Sequence, residues 1–185
     1  KFITKGEFSH NGQIKKITPH EWGLTVFFHH FMDDIDFGID KKNIREVIQL
    51  RINNEKEKSQ EKLDLLKGKE FDIANSIVSG KIIPEVQDIV DKIIADKIDY
   101  IKDLSCKPIC HKVSSKVFIF HGANDNMVPF TESIQLDQLI SNSKLLISYL
   151  FEHKGLSSKS SILFKIKEAI KLLLFFYKFD KYHAS

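Results

Sequence analysis

Two short apolar runs separated by a helical segment constrain the fold of this chain more than any other feature. The runs cover residues 117–120 and 145–151, and residues 130–140 between them have helical spacing. Continuous apolar runs of this length are typical of strands covered on both faces by helices. A strand, a helix and a second strand in this order form a parallel crossover unit. The sequence therefore predicts an α/β protein.

The first 39 residues are predicted to form a hairpin and a buried helix. The dipeptide Asn11-Gly12 tolerates the positive φ angles of a tight turn, so residues 1–17 are expected to form short strands. The segment Thr18–Glu21 combines a hydroxyl cap, a proline in the first turn and a glutamate at the third position. These signals predict a helix over residues 19–32 that is apolar on most sides.

Residues 40–111 are predicted to form a separate helical region. Charged residues alternate with apolar ones at helical spacing, Gly80 is expected to end one helix, and Pro84 is expected to begin another. The rest of the chain, residues 112–185, contains the crossover unit and a last helix over residues 162–179. Lysines interrupt that helix too often for a membrane span, so it is expected to cover the sheet.

Composition and charge exclude several functional classes. The formal net charge of +3 arises from 28 basic and 25 acidic residues that are interleaved along the chain. No pattern of basic and aromatic residues suited to base stacking accompanies them, so no nucleic-acid partner is expected. The pair Cys106 and Cys110 has no second ligand pair, and no metal or other cofactor is predicted. Two cysteines and the lack of a secretion signal favour a cytoplasmic location.

Asp125 and His153 are the candidate catalytic residues. Each follows an apolar run, and the loops beyond the carboxyl ends of parallel strands are where such sheets carry their reactive groups. There a carboxylate can orient an imidazole and stabilise the imidazolium formed when the ring takes a proton from a nucleophile. Taken singly, Asp125 could instead cap a loop before Pro129, and His153 could be an ordinary surface residue.

The same residues carry a resemblance to a family. The segment H-G-A-N-D-N-M-V-P at residues 121–129 resembles the loop after the penultimate strand of α/β-hydrolase fold enzymes, and E-H-K-G at residues 152–155 resembles the loop after their last strand. The resemblance implies that Asp125 is the triad acid, His153 is the base and His121 is structural. It also implies that the helices of residues 40–111 lie where this family inserts a lid over the active site.

The chain departs from the family in its nucleophile. None of the eight glycines brackets a serine as Gly-x-Ser-x-Gly, the sequence of the strained turn that presents the catalytic serine. Ser9 has the wrong spacing and is predicted in a hairpin, and Cys106 and Cys110 are weak substitutes. Because the family order is serine, acid, histidine, the nucleophile is expected upstream of Lys1.

The resemblance therefore implies the C-terminal half of a serine hydrolase of carboxylic esters or related acyl compounds, inactive by itself. The alternative is a non-catalytic interaction protein derived from a truncated hydrolase fold. Two strands cannot bury both of their edges, so self-association or pairing with a missing N-terminal half is expected through the strand edges. Membrane attachment through the last helix is a weaker third interpretation.

Overall fold

The computed structural model describes residues 1–152, 155–156 and 161–184, and it divides into two compact units. The first unit is mainly residues 18–104, together with residues 1 and 3–6. The second unit is mainly Ser105–Ser185, together with residue 2 and residues 7–17. The predicted division at residues 39 and 111 stays a prediction.

The first unit is built from helices. Their bounds are α1 Phe2–Lys5 (whose first residue belongs to the second unit), α2 Glu21–His30, α3 Lys42–Ile52, α4 Lys56–Asp64, α5 Gly68–Ser79, α6 Pro84–Asp96 and α7 Ile98–Asp103, with a 3-10 turn at Met32–Asp34. Apolar residues at helical spacing on α2, α3 and α5 form one core, in which Leu24, Ile44 and Ile77 are fully buried. Each such side chain contributes about 1.5–3 kcal/mol of burial free energy.

The helix signals of the sequence are confirmed at Gly80 and Pro84. Gly80 ends α5 in the left-handed conformation, with a φ of 71°, and Pro84 is the first residue of α6. A residue without a Cβ atom takes up this conformation without a steric penalty, and proline is pre-organised for a first helical turn.

The start of α2 differs from its prediction. The helix begins at Glu21, and its cap is His20, whose Nδ1 accepts the N–H of Trp22 at 3.0 Å. The ring nitrogen takes the place of the predicted Thr18 hydroxyl, so Pro19 lies outside the helix. The helix is also buried on one side only, since Val26 is 40% exposed. The prediction of strands at the chain start is wrong for α1.

The second unit contains the predicted hairpin. Strands β1 Glu7–His10 and β2 Gln13–Lys16 pair in antiparallel fashion. Asn11 and Gly12 between them have φ angles of 51° and 73°, which is the backbone that a tight two-residue turn requires. The hairpin prediction is confirmed.

The predicted parallel crossover is also confirmed. Strand β3 Val117–Gly122 is followed by α8 Thr131–Leu139 and β4 Ser143–Ser148, and β3 pairs with β4 in parallel from Val117↔Ser143 to Gly122↔Ser148. A short antiparallel pair, β5 Phe151–Glu152 and β6 Gly155–Leu156, and the helix α9 Ile162–His183 complete the elements of this unit, with a 3-10 turn at Lys107–Lys112. The fold is mixed α/β.

Helices α8 and α9 lie on opposite faces of the parallel pair. His121 contacts Ser133 of α8, whereas Phe118 packs edge-on against Phe175 and Phe179 of α9. Since alternate residues of a strand point to opposite faces, the two helices cover different sides. The strands are nevertheless only partly buried, because within the described chain each has a single strand neighbour in this sheet.

The hydropathy of the helices bears on the membrane prediction. Across the residues that the structure describes, no helix combines the length and the apolar character needed to cross a membrane.

Candidate functional site

Asp125 lies in the loop between β3 and α8, where its carboxylate organises the backbone. Its Oδ1 accepts the N–H of Met127 at 2.7 Å and the N–H of Val128 at 3.0 Å. The N–H of Asp125 itself donates to the carbonyl of Gly122 at 3.1 Å. A short carboxylate that bonds to the backbone two residues on is a common way to close such a turn. Asp125 therefore has a structural role in the loop.

His121, near the end of β3, is held at both ring nitrogens. Its Nε2 lies 3.1 Å from the carbonyl oxygen of Val128, and its Nδ1 lies 2.7 Å from the hydroxyl of Ser133. A carbonyl oxygen can only accept, so Nε2 carries a hydrogen, and in the neutral ring Nδ1 then accepts from the Ser133 hydroxyl. These contacts are those of a residue that fastens the loop to β3 and α8, as the resemblance implies for His121.

Ser133, His121 and Asp125 together superficially have the composition of a triad, but their geometry does not suit one. The nearest approach of the imidazole to the acid joins His121 Nε2 to Asp125 Oδ2 at 4.0 Å, longer than a hydrogen bond. The same nitrogen donates to Val128, and Ser133 is buried, so its hydroxyl is screened from a substrate. These three residues therefore do not form a triad with one another, and the contacts among them support the loop.

His153, the predicted base, lies outside the described residues, between β5 and β6. The parallel register places the C-terminal ends of β3 and β4 side by side. Gly122 pairs with Ser148, and the N–H of Ala123 donates to the Ser148 carbonyl at 2.8 Å. The loop of Asp125 and the segment that leads towards position 153 therefore begin side by side. The pairing of Asp125 with His153 stays a prediction.

Glu168 is a buried carboxylate at this edge that the sequence analysis missed. It is 1% exposed, its Oε2 accepts the N–H of Tyr149 at 3.0 Å, and its Oε1 accepts Lys171 Nζ at 2.5 Å. Burial by itself raises the pKa of Glu168, but the bonds from Lys171 and Tyr149 and the nearby lysine charges outweigh it, so its pKa lies below the ordinary value. Glu168 and Phe175 are seven residues apart in α9, a spacing that places both on one face of a helix. The sequence could therefore have shown that Glu168 faces the sheet.

Two of the three weaker candidate nucleophiles, Ser9 and Cys110, are unsuited to that role. Ser9 is an exposed residue of β1 and pairs with Ile14 of β2. Cys110 is buried, and this burial, with a hydrogen bond to Cys106, raises the pKa of its thiol and disfavours the reactive thiolate.

Within the described parts of the chain, no three His, Cys, Asp or Glu side chains are grouped so that they could hold a metal ion. The first unit has a cleft of about 520 Å³ between α5 and α6, and its lining includes Lys69, Asp72 and Glu85. The second unit has a groove of about 480 Å³ beside β4 and α9.

Comparison of the chain with protein-family models, with curated proteins and with solved structures finds no match. The candidate site is therefore defined by the chemistry of the chain's own residues.

Proposed function

We propose that this chain supplies the acid and the base of a serine-type acyl hydrolase, with Asp125 as the acid and His153 as the base. The observation that carries the proposal is the parallel pairing of β3 with β4. The C-terminal ends of the two strands lie side by side, and the loop of Asp125 and the segment towards His153 both begin there. Reactive groups of parallel sheets collect beyond the carboxyl ends of the strands. The substrate class would be carboxylic esters or related acyl compounds.

In this mechanism the imidazole of His153 takes the proton of a serine hydroxyl and later returns it to the leaving group. Asp125 orients the ring and stabilises the imidazolium. The 185 residues contain no Gly-x-Ser-x-Gly segment, so the nucleophile of the proposal belongs to a segment outside them. An acyl-serine intermediate would form only where that segment is present.

Titration of the His153 ring by NMR tests the acid and base pair without requiring activity. Asp125→Asn keeps an oxygen acceptor for the loop but removes the negative charge, so the midpoint of the His153 titration is expected to fall by about one pH unit or more. The resonance is assigned by its loss in His153→Gln.

Asp137→Asn is the matched control for this titration. Asp137 bonds to Ser143 at the start of β4, the opposite end of the strand from Ser148. This substitution is expected to leave the His153 midpoint unchanged. An equal midpoint in the unaltered chain and in Asp125→Asn would refute the proposed pair.

The reactivity of the chain gives a second test. With the 185 residues alone, we expect neither turnover of aryl esters nor labelling by a fluorophosphonate probe, because no serine lies in a nucleophile turn. Stoichiometric labelling of a serine, located by peptide mass spectrometry, would contradict this assignment.

The partly buried parallel pair favours a second candidate, a non-catalytic interaction protein. Strands with unpaired edges are templates for another chain. Sedimentation equilibrium distinguishes the two ideas: a monomer that unfolds cooperatively contradicts dependence on a partner, whereas reversible association supports it.

A further inference from the structure

Cys106 and Cys110 lie one helical turn apart in the second unit. The N–H of Cys110 donates to the carbonyl of Cys106 at 3.1 Å, in the 3-10 turn that starts directly after Cys106. Helical geometry places the Cα atoms of two residues joined by such a bond about 6 Å apart. Disulfides span Cα separations of about 4.4–6.8 Å, so the backbone separation of these two cysteines suits a disulfide.

The side chains of the two cysteines also meet, and we call them the thiol pair. A hydrogen bond joins the two thiols, so their sulfur atoms are neighbours. Pro108 lies between the two cysteines, in the first turn of the 3-10 helix. Because proline has a fixed φ, the segment that a disulfide would close has less conformational freedom to lose than a segment without proline.

The two members of the thiol pair differ in their access to solvent. Cys106 is exposed, whereas Cys110 is only 4% exposed. A dissolved oxidant therefore reaches the sulfur of Cys106 and not that of Cys110, so reaction starts at the exposed residue. The burial of Cys110 does not prevent a second step, because its sulfur needs to reach only the sulfur of Cys106. An accessible thiol beside a resolving thiol is typical of redox-responsive cysteines.

The turn that carries the thiol pair packs against α8. The Nζ of Lys107, the residue after Cys106, donates to the side-chain oxygen of Gln135 at 2.6 Å and lies 3.2 Å from the carboxylate of Glu132. These contacts attach one end of the turn to α8, and the burial of Cys110 anchors the other end. The two sulfur atoms are therefore held by a packed turn and not by a free loop.

We propose that the thiol pair is a redox-responsive modification site, at which low-molecular-weight disulfides such as oxidised glutathione form an intramolecular disulfide between Cys106 and Cys110. This inference goes beyond the proposed acyl hydrolase and does not depend on the pairing of Asp125 with His153.

The reaction is a double thiol–disulfide exchange. Cys106 loses its proton to water, its thiolate attacks one sulfur of the oxidant, and a mixed disulfide forms as the first thiolate leaves. Cys110 then loses its proton to water and attacks the sulfur of Cys106, and the second thiolate leaves. Two protein thiols are oxidised to one disulfide, and one oxidant molecule is reduced to two thiols. The two protons that the protein releases balance the two that the leaving thiolates take up.

Intact mass spectrometry after treatment with oxidised glutathione tests the proposal, with iodoacetamide added at the end to trap the remaining thiols. We expect the main product of the full chain to lack two hydrogen atoms and to carry neither glutathione nor a carbamidomethyl group. Peptide mapping should join Cys106 to Cys110, and dithiothreitol should restore both thiols. In the folded, untreated chain, iodoacetamide is expected to label Cys106 alone.

Three variants distinguish a thiol pair from a single reactive thiol. Cys110→Ser is expected to keep one glutathione on Cys106, because no second thiol displaces it, and Cys106→Ser is expected to stay unmodified. The matched control is Cys110→Ser combined with His111→Cys, which keeps two thiols but moves the second to an exposed position one residue further round the turn. At a given ratio of oxidised to reduced glutathione, this control should form at least about ten times less internal disulfide than the unaltered chain. Circular dichroism confirms that each variant is folded.

Four outcomes would overturn the proposal. The first is an unaltered chain that keeps both thiols free under the oxidant. The second is a lasting glutathione adduct on Cys106 beside a free Cys110, which would make Cys106 a single reactive thiol. The third is a disulfide that joins Cys106 of two chains. The fourth is as much internal disulfide in the matched control as in the unaltered chain, which would show that the position of Cys110 is irrelevant.

Discussion

The backbone N–H of Tyr149 donates a hydrogen bond of 3.0 Å to the carboxylate of Glu168. This bond ties α9 to the first residue after β4, at the edge of the sheet where the segment towards the predicted base begins. The carboxylate is buried and also binds Lys171. A buried donor whose partner is removed loses its bond without regaining water, so this contact is expected to matter for stability.

Glu168→Gln is expected to lower the free energy of unfolding at neutral pH by about 1–3 kcal/mol, because the amide forms weaker bonds than the carboxylate. The folded-state pKa of Glu168 is depressed. Its stabilisation is therefore complete above the unfolded-state value of 4.5 and is lost as the pH falls through the folded-state value. Thermal unfolding at a series of pH values should show the two proteins converging in acid.

Glu55→Gln is the control for this pH series. Glu55 also has a lowered pKa, caused by its hydrogen bond with Lys58, but it pairs at the surface, where ion pairs contribute little. A pH-dependent difference as large in Glu55→Gln as in Glu168→Gln would contradict the role assigned to the buried carboxylate.

Gly80→Ala is expected to destabilise the first unit. Gly80 has a φ of +71°, and a Cβ atom there would lie 2.9 Å from the Cα of Glu21. The left-handed backbone costs about 1–2 kcal/mol for alanine, and the forced contact adds about 1–3 kcal/mol. Gly12→Ala shares the positive φ but meets nothing within 4 Å, so chemical denaturation of both variants separates the two costs. Equal losses would show that the contact relaxes freely.

Lys41→Met is expected to cost about 1.5–3 kcal/mol of unfolding free energy, the range for hydrogen bonds to a charged group. The Nζ atom of Lys41 donates to the carbonyls of Met32, Asp33 and Ile35 at 2.9, 3.1 and 3.1 Å. Lys42→Met is the control, since its side chain is exposed. Similar denaturation midpoints for the two variants would rule out a stabilising role for the Lys41 ammonium.

Asp125→Ala is expected to destabilise the second unit by about 1–2 kcal/mol, whereas Asp125→Asn should remain close to the unaltered chain. Alanine removes the acceptor for the N–H groups of Met127 and Val128, and asparagine keeps an oxygen there. Thermal melts measure this loop contribution separately from any effect on His153. If Asp125→Asn destabilised the unit as much as Asp125→Ala, the negative charge of Asp125, and not its hydrogen bonds to the turn, would stabilise the loop.

Local signals in the sequence were sufficient to predict the hairpin and the parallel crossover. The turn at Asn11-Gly12 needs positive φ angles that these residues adopt at low cost. Two apolar runs with a helix between them have few stable arrangements other than a right-handed parallel unit. The position of Asp125 after β3 followed from the same pattern.

Helix starts were less predictable. Thr18 and Pro19 carry strong start signals, yet the ring of His20 caps α2 and the helix begins at Glu21. Helix α4 begins at Lys56, although the residue before it, Glu55, makes no capping hydrogen bond with its side chain. Propensity and capping signals are worth about 1 kcal/mol each, so tertiary packing readily moves a boundary by one turn.

The residues of α9 that share a face could be predicted from the sequence, because helical spacing is a property of the backbone. Which of its two apolar faces is covered depends on the packing of the fold, since Phe175 packs on β3 while Ile170 stays exposed. The burial of Glu168 was decided in the same way. Burial depends on what packs against a surface, and for α9 and Glu168 those neighbours are β3, Tyr149 and the end of β4, which lie far away in the chain.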